Sequence, residues 1–243
     1  MMKKDVESGD GGGEGGEGPK PLYPTMVENP ALRWSFIRKV YFIITFQLLI
    51  TIVVAATVVF VRPIAHFFVS STPGLVIYLV LIFVPFITMW PLYYYHKKHP
   101  LNYFLLFIFT VTLAFAIGLT CAFTSGRIIL EAVVLTTVMV SSLSLYTFWA
   151  ARRGHDFTFW GPFLLGALLI LVVSGLIQIL FPLGKLSALI YGCLASIVFC
   201  GFIIYDTNNL IKKFSYDDYI WASVSLYLDI INLFLSLLSM LRT

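Results

Sequence analysis

The sequence predicts an all-α membrane protein, a bundle of seven transmembrane helices. Three observations carry that prediction. Of the 243 residues, 59% are hydrophobic and 12% are charged, half the ~25% charged share of an ordinary soluble domain. The mean hydropathy is +0.92. The charges sit in short clusters separated by apolar runs of about 20 residues, the length a helix needs to cross a ~30 Å hydrocarbon core. A soluble core has no use for so many such runs.

The chain divides into two regions. Residues 1–32 read as a disordered, acidic, Gly-rich cytosolic tail, because GDGGGEGGEG holds too few apolar side chains to offset the entropy of ordering. Three lysines against six carboxylates leave residues 1–30 at −3, so the rest carries +7 within a formal total of +4. No apolar stretch falls in this tail, so it is not a signal peptide, and the first span is expected to act as an uncleaved signal-anchor. Residues 33–243 form the membrane domain. Its spans are expected at 40–61, 75–95, 101–123, 128–151, 159–181, 187–211 and 219–241. Pro63, Pro73, Pro100 and Pro182 fall in the gaps, whereas Pro85 and Pro91 lie inside the second span and should kink it.

Orientation follows from counting cations at span ends. One set of ends carries Arg33, Arg38, Lys39, Lys97, Lys98, Arg152, Arg153, Lys212 and Lys213, nine in all. The opposite set carries four: Arg62, Arg127, Lys185 and Arg242. The positive-inside rule then predicts a cytosolic N-terminus and a lumenal or external C-terminus. Basic residues placed this way orient a membrane protein and argue against nucleic acid as a partner. The cysteines, Cys121, Cys193 and Cys200, lie inside apolar runs with no metal-ligand spacing and read as small packing residues.

Ionisable groups inside spans are functional candidates, because each costs roughly 3 kcal/mol at mid-depth unless paired or hydrated. Three stand out: Glu131, Asp206 and Asp229. Asp229 falls ten residues into the last span, about 15 Å deep at 1.5 Å per residue. Ser225, Asn232, Ser236 and Ser239 share its helical face at spacings of 4, 3, 4 and 3. Such a stripe faces the bundle interior or water; the competing reading is hydrogen-bond glue between helices. Asp206, in YDTNNLIKK, lies over a turn inside the sixth span with Asn209 on its face. Its plainer reading is an interfacial carboxylate paired with Lys212 or Lys213. Ala188, Gly192, Ser196 and Cys200, four residues apart on the same span, predict close helix packing.

Glu131 lies one turn into the fourth span among Thr136, Thr137, Ser141, Ser142, Ser144 and Thr147, which suggests a hydrated interior face. A first-turn carboxylate also complements the helix dipole without any further role. His96-Lys97-Lys98-His99 reads as an orientation signal, with His96 placed to reach inward as a titratable partner. No Gly-rich phosphate cradle, zinc spacing, nucleophile elbow or dinucleotide fingerprint is present, so no catalytic residue and no cofactor are expected.

Tyr205-Asp206-Thr207, followed by Ser225-Leu226-Tyr227-Leu228-Asp229-Ile230-Ile231-Asn232-Leu233-Phe234, resembles the C-terminal part of the Bax-inhibitor-motif family. The acidic Gly-rich tail and MVENPALRWSFIRKVY resemble its plant Lifeguard-type members in particular. The resemblance covers residues 33–243. It implies a seven-helix bundle around a central C-terminal helix, with Asp206 and Asp229 as a pH-sensing dyad that also attracts calcium ions. Glu131 joins a supporting polar pathway with Ser225, Asn232 and Ser236. The implied function is a pH-sensitive calcium leak across an endomembrane (endoplasmic reticulum, Golgi or vacuole) that suppresses stress-induced cell death. The bilayer, calcium and other membrane or cell-death regulators are the implied partners. An arginine that latches the dyad in bacterial relatives is absent; His96, followed by Lys97, stands near its position as a possible latch.

The physics is consistent with that resemblance. Two carboxylates in contact cannot both ionise cheaply and titrate as a pair, and carboxylate oxygens suit Ca²⁺. Two other classes use similar residues. An intramembrane aspartyl protease also carries an aspartate on each of its sixth and seventh helices, but here the second lies in LYLD, with neither a GxGD motif nor a following Pro-Ala-Leu. A proton-coupled transporter is the other alternative, since intramembrane carboxylates serve proton relays too. A seven-helix receptor fits less well, because the lumenal loops are short and carry no cysteine pair.

Overall fold

The computed structural model describes residues 21–181 and 184–243. Eight α-helices follow one another: α1 (Pro30–Phe60), α2 (Arg62–Ser70), α3 (Thr72–Tyr95), α4 (Leu101–Ala122), α5 (Gly126–Arg152), α6 (Gly161–Leu180), α7 (Lys185–Lys212) and α8 (Tyr219–Arg242). Single 3₁₀ turns at Thr158–Trp160 and Tyr216–Asp218 lead into α6 and α8. Seven of these segments are long and apolar enough to cross a membrane. Large apolar side chains such as Phe46, Phe86, Trp90, Phe163 and Ile170 point outward, as the surface of a membrane-spanning bundle does.

Two elements differ from the sequence expectation. The first helix begins at Pro30, ten residues early, because Asn29 caps it, accepting from the Ala31 N–H at 2.9 Å, and Pro30 occupies its first position. Arg33, Phe36, Ile37, Val40 and Ile44 continue one buried stripe through this first part; the cations there mask it in a hydropathy reading. The other difference is α2, a nine-residue helix in what reads as a gap. It starts on Pro63 in its first turn and sets Phe68 edge-on against Phe115 of α4 at 5.1 Å. α3 runs through Pro85 and Pro91 as one helix.

The tail of residues 1–32 lies mostly outside the described residues. Its final part packs onto the bundle, with Leu22 buried in the main hydrophobic core. The chain therefore joins the domain before residue 33.

α8 is the central helix. Of its most apolar stretch 56% is buried, against 11% for the corresponding stretches of α5 and of the segment containing α6. It packs on α7, α1, α5 and α4, whereas α6 leans on α7. Close approach needs small residues. A Cβ on Gly192 would meet the Ser236 carbonyl of α8 at 3.1 Å, so the small-residue face of α7 packs as predicted. Likewise a Cβ on Gly118 would lie 2.9 Å from the Ala55 Cα, which brings α4 hard against α1.

The helix ends near Arg33, Lys97, Arg152 and Lys212 gather at one side, here termed the basic end. Arg33, fully buried, donates to the Phe214 carbonyl and to Glu28, each at 2.6 Å, and stacks 4.9 Å from the Tyr216 ring centroid. It ties the start of α1 to the α7–α8 connection, a structural role beyond an orientation signal. Gly154, at φ +85°, ends α5 in the left-handed conformation that side chains disfavour. The loop it opens brings Asp156 onto α7.

Candidate functional site

The Asp206 and Asp229 carboxyl groups lie within side-chain hydrogen-bonding reach of each other. Helix geometry explains the meeting. Asp206 stands six residues before the end of α7, about 9 Å from the basic end, and Asp229 about 15 Å from the start of α8. The remaining offset is about one helical turn, and the tight α7–α8 contact closes it. Asn209, one turn on, holds Asp206 by donating to Oδ1 at 3.5 Å. Neither carboxylate can donate to the other unless one holds a proton. Without that shared proton, the buried Asp229 Oδ2 finds no donor among the described residues.

Both carboxyls line a half-open cavity of about 510 Å³ bordered by α6, α7 and α8. Leu168, Leu171 and Val172 of α6 form its apolar wall, with Phe199 and Phe202 from α7. The α8 side is the polar stripe that the spacing predicts: Ser225, Asp229, Asn232, Ser236 and Ser239 all line it. Tyr191 of α7 adds a hydroxyl. No Lys, Arg or His among the described residues lines the cavity. Among the described residues, no three His, Cys, Asp or Glu side chains converge as a metal cage. Two carboxylates with amide and hydroxyl oxygens nearby suit a hard cation in transit, since Ca²⁺ takes 6–8 oxygens and water must supply the rest.

Two expected members lie elsewhere. Glu131 pairs with Arg127 at 2.9 Å, one turn away on the exposed side of α5. It stands about 30 Å along α5 from the basic end, roughly 20 Å from the depth of Asp206. The hydroxyls grouped with it do not form one interior face: Thr136 and Thr147 are buried, while Thr137, Ser141 and Ser142 are exposed. His96 and Lys97 also miss the dyad. His96 Nε2 and Lys97 Nζ meet the same Asp218 oxygen, at 3.1 and 3.2 Å. The reason is position: both follow the last residue of α3, and Asp218 stands directly before α8 at that same end.

Sequence reasoning passed over two polar groups around the site. Asp156 accepts from Asn208 Nδ2 at 3.0 Å and from Thr158 N–H and O–H at 3.1 and 2.8 Å, with Lys212 Nζ 3.6 Å away. Burial alone would raise this carboxyl, but those hydrogen bonds and the lysine hold it at about 2. Asp156 thus pins the end of α7 through Asn208 and Lys212, just beyond Asp206. On the far face of α8, Tyr227 bonds Thr51 at 2.8 Å, and Gln47 donates to Thr110 at 3.1 Å. Gln47 and Thr51 share α1 at a spacing of four, but no spacing rule joins them to Thr110 of α4 or Tyr227 of α8.

The comparisons bear on this arrangement. The family described as "Inhibitor of apoptosis-promoting Bax1" matches residues 33–243. The chain belongs to that family. Among relatives of this Bax-inhibitor-family protein, Protein LIFEGUARD 4 of Arabidopsis thaliana is 68% identical over 240 residues, spanning 99% of this chain and 95% of that protein. Protein LIFEGUARD 2 of the same plant is 70% identical over 222 residues, spanning 91% and 93%. The Golgi anti-apoptotic protein of Vaccinia virus (strain Lister) is 39% identical over 212 residues, spanning 87% and 86%. The Lifeguard likeness expected from the tail and the LYLDIINLFL stretch holds along the chain. This is a multi-pass membrane protein of the Bax-inhibitor family.

Proposed function

We propose that this Bax-inhibitor-family protein is a pH-sensitive calcium-leak pathway of an intracellular membrane and that the leak restrains stress-induced cell death. The observation that carries the reading is the pair of neighbouring carboxyl groups, Asp206 and Asp229, that line one cavity between helices. In a low-dielectric site one shared proton binds the two groups together, and its loss leaves two like charges in contact. Repulsion then pushes α7 and α8 apart, while the doubly charged site attracts a divalent cation. One pair of residues thereby couples proton concentration to cation entry. The cell-death role rests on the family description and on the printed name of the viral relative, a Golgi anti-apoptotic protein. That name also favours an endomembrane. The nine-to-four split of cations favours a cytosolic basic end, with the N-terminus on that side.

The reading is non-enzymatic. Asp229 lies in LYLD, where bulky neighbours replace the glycines a peptide substrate would need beside an aspartyl dyad.

The test is calcium flux into dye-loaded liposomes between about pH 6 and pH 8. Asp206→Asn and Asp229→Asn should each flatten the pH dependence. If both variants keep the wild-type profile, the dyad is structural and the gating mechanism is lost. Protease protection with tags at both termini checks the orientation; a protected N-terminal tag on intact vesicles would reverse it.

A further inference from the structure

The stripe on α8 has a chemical polarity that its residue types alone do not reveal. Asn232 spends one of its two amide N–H groups on the Leu228 carbonyl one turn back, at 2.8 Å. Ser236 spends its hydroxyl hydrogen on the Asn232 carbonyl at 2.7 Å. Both side chains line the cavity. Those bonds anchor both side chains to the helix backbone and leave the Asn232 amide carbonyl oxygen and the lone pairs of Ser236 without a donor among the described residues, so these oxygens remain for an occupant. Asp229, buried and with Oδ2 unpartnered among the described residues, stands one turn before them and lines the same space. The cavity therefore presents oxygen acceptors along one wall and, among the described residues, no cationic side chain on any wall. A cation finds oxygen ligands there, whereas an anion meets the Asp206 and Asp229 carboxyl groups with no cation to offset them.

We propose that Asn232 is a specificity-determining residue of the pathway: its backbone-locked amide presents Oδ1 as the first cation ligand beyond the Asp206–Asp229 pair, with Ser236 the next. Rises of about 4.5 Å from Asp229 to Asn232 and about 6 Å from Asn232 to Ser236 follow from the helix repeat. Those steps exceed a Ca–O bond of about 2.4 Å, so a partly hydrated ion exchanges one oxygen for the next instead of resting in a cage. The inference rests on the leak reading and adds to it the chemical class of what passes: hard cations, with anions rejected.

An isosteric pair of variants isolates the oxygen. Threonines in these helices donate to the carbonyl four residues back, as Thr51, Thr57 and Thr110 do at 2.8 Å. Asn232→Thr therefore keeps an acceptor oxygen with its donor consumed, and Asn232→Val keeps the shape without the oxygen. Reversal potentials in planar bilayers under a calcium chloride gradient read the cation-to-anion permeability ratio, which a loss of folded protein would not shift. Asn232→Thr should stay within about threefold of wild type, while Asn232→Val should lower the ratio by about tenfold or more, the scale of one lost bond to a charged group. Asn232→Ala, which also deletes the oxygen, serves if the valine variant is not monodisperse. A valine or alanine variant with the wild-type ratio overturns the proposal, and so does a threonine variant as impaired as valine. Wild-type protein that carries no calcium at all overturns the leak reading itself and this inference with it.

Discussion

Arg33→Ala tests how the basic end is held together. The guanidinium is 2% exposed and makes two 2.6 Å hydrogen bonds, to the Phe214 carbonyl and to Glu28, under the Tyr216 ring. The bond to the part-buried Phe214 carbonyl is a charge-assisted one, for which about 1.5–3 kcal/mol is typical. Glu28 is 45% exposed, so its ion pair adds only about 0–1 kcal/mol. The ring contact contributes about 0.5–1 kcal/mol. The Glu28 carboxyl is held below its ordinary range by the Tyr216 hydroxyl, which outweighs its slight burial, and by Arg33, so it stays charged and ready to pair at neutral pH. The loss on truncation comes to about 3 kcal/mol, or about 6–12 °C at 2–4 °C per kcal/mol for a chain of this size. The assay is thermal unfolding in detergent at one fixed heating rate, because unfolding of such proteins is governed by rate as much as by equilibrium. Arg33→Lys keeps the charge without the fork and should lose about half as much. Arg33→Met keeps the apolar stem alone. An alanine variant within about 1 °C of wild type refutes the reasoning, and a methionine variant as stable as lysine assigns the effect to the stem.

Three further outcomes follow from the geometry. Asp156→Asn should destabilise the protein at pH 7 by about 1 kcal/mol after discounting for its half-exposed carboxyl. Because that carboxyl is held at about 2 against an ordinary 3.8, its contribution is present above about pH 4 and fades as pH falls toward 2; thermal melts of variant and wild type should converge over that window. Gly118→Ala places a Cβ 2.9 Å from both the Ala55 Cα and the Val58 Cβ, which forces α1 from α4 and should cost about 1–3 kcal/mol by chemical or thermal unfolding. Glu131→Gln should leave calcium flux and its pH profile unchanged, since Glu131 pairs with Arg127 far from the cavity; a flattened profile would place Glu131 in the pathway after all.

Apolar length and periodicity are local properties, and the sequence by itself determined what depends on them. Each of the seven spans is legible because a helix in lipid must satisfy its own backbone and cover itself with apolar side chains over about 20 residues. The polar stripe through Ser225, Asp229, Asn232 and Ser236 was legible for the same reason: spacings of three and four put residues on one face whatever lies opposite. The small residues around Gly192 likewise announced a tight neighbour. Tertiary structure decided which neighbour, and so everything that needs two helices at once. It brought Asp206 to Asp229 through the α7–α8 contact and left Glu131 about 20 Å away in depth. It turned His96 and Lys97 to Asp218, because a residue just past a helix end pairs with whatever charge the adjoining helix start presents. It also buried Arg33 under Tyr216 and set Asp156 against Asn208. These partners lie 52 to 183 positions apart in the chain, and no one-dimensional spacing encodes a contact made only when separate helices pack.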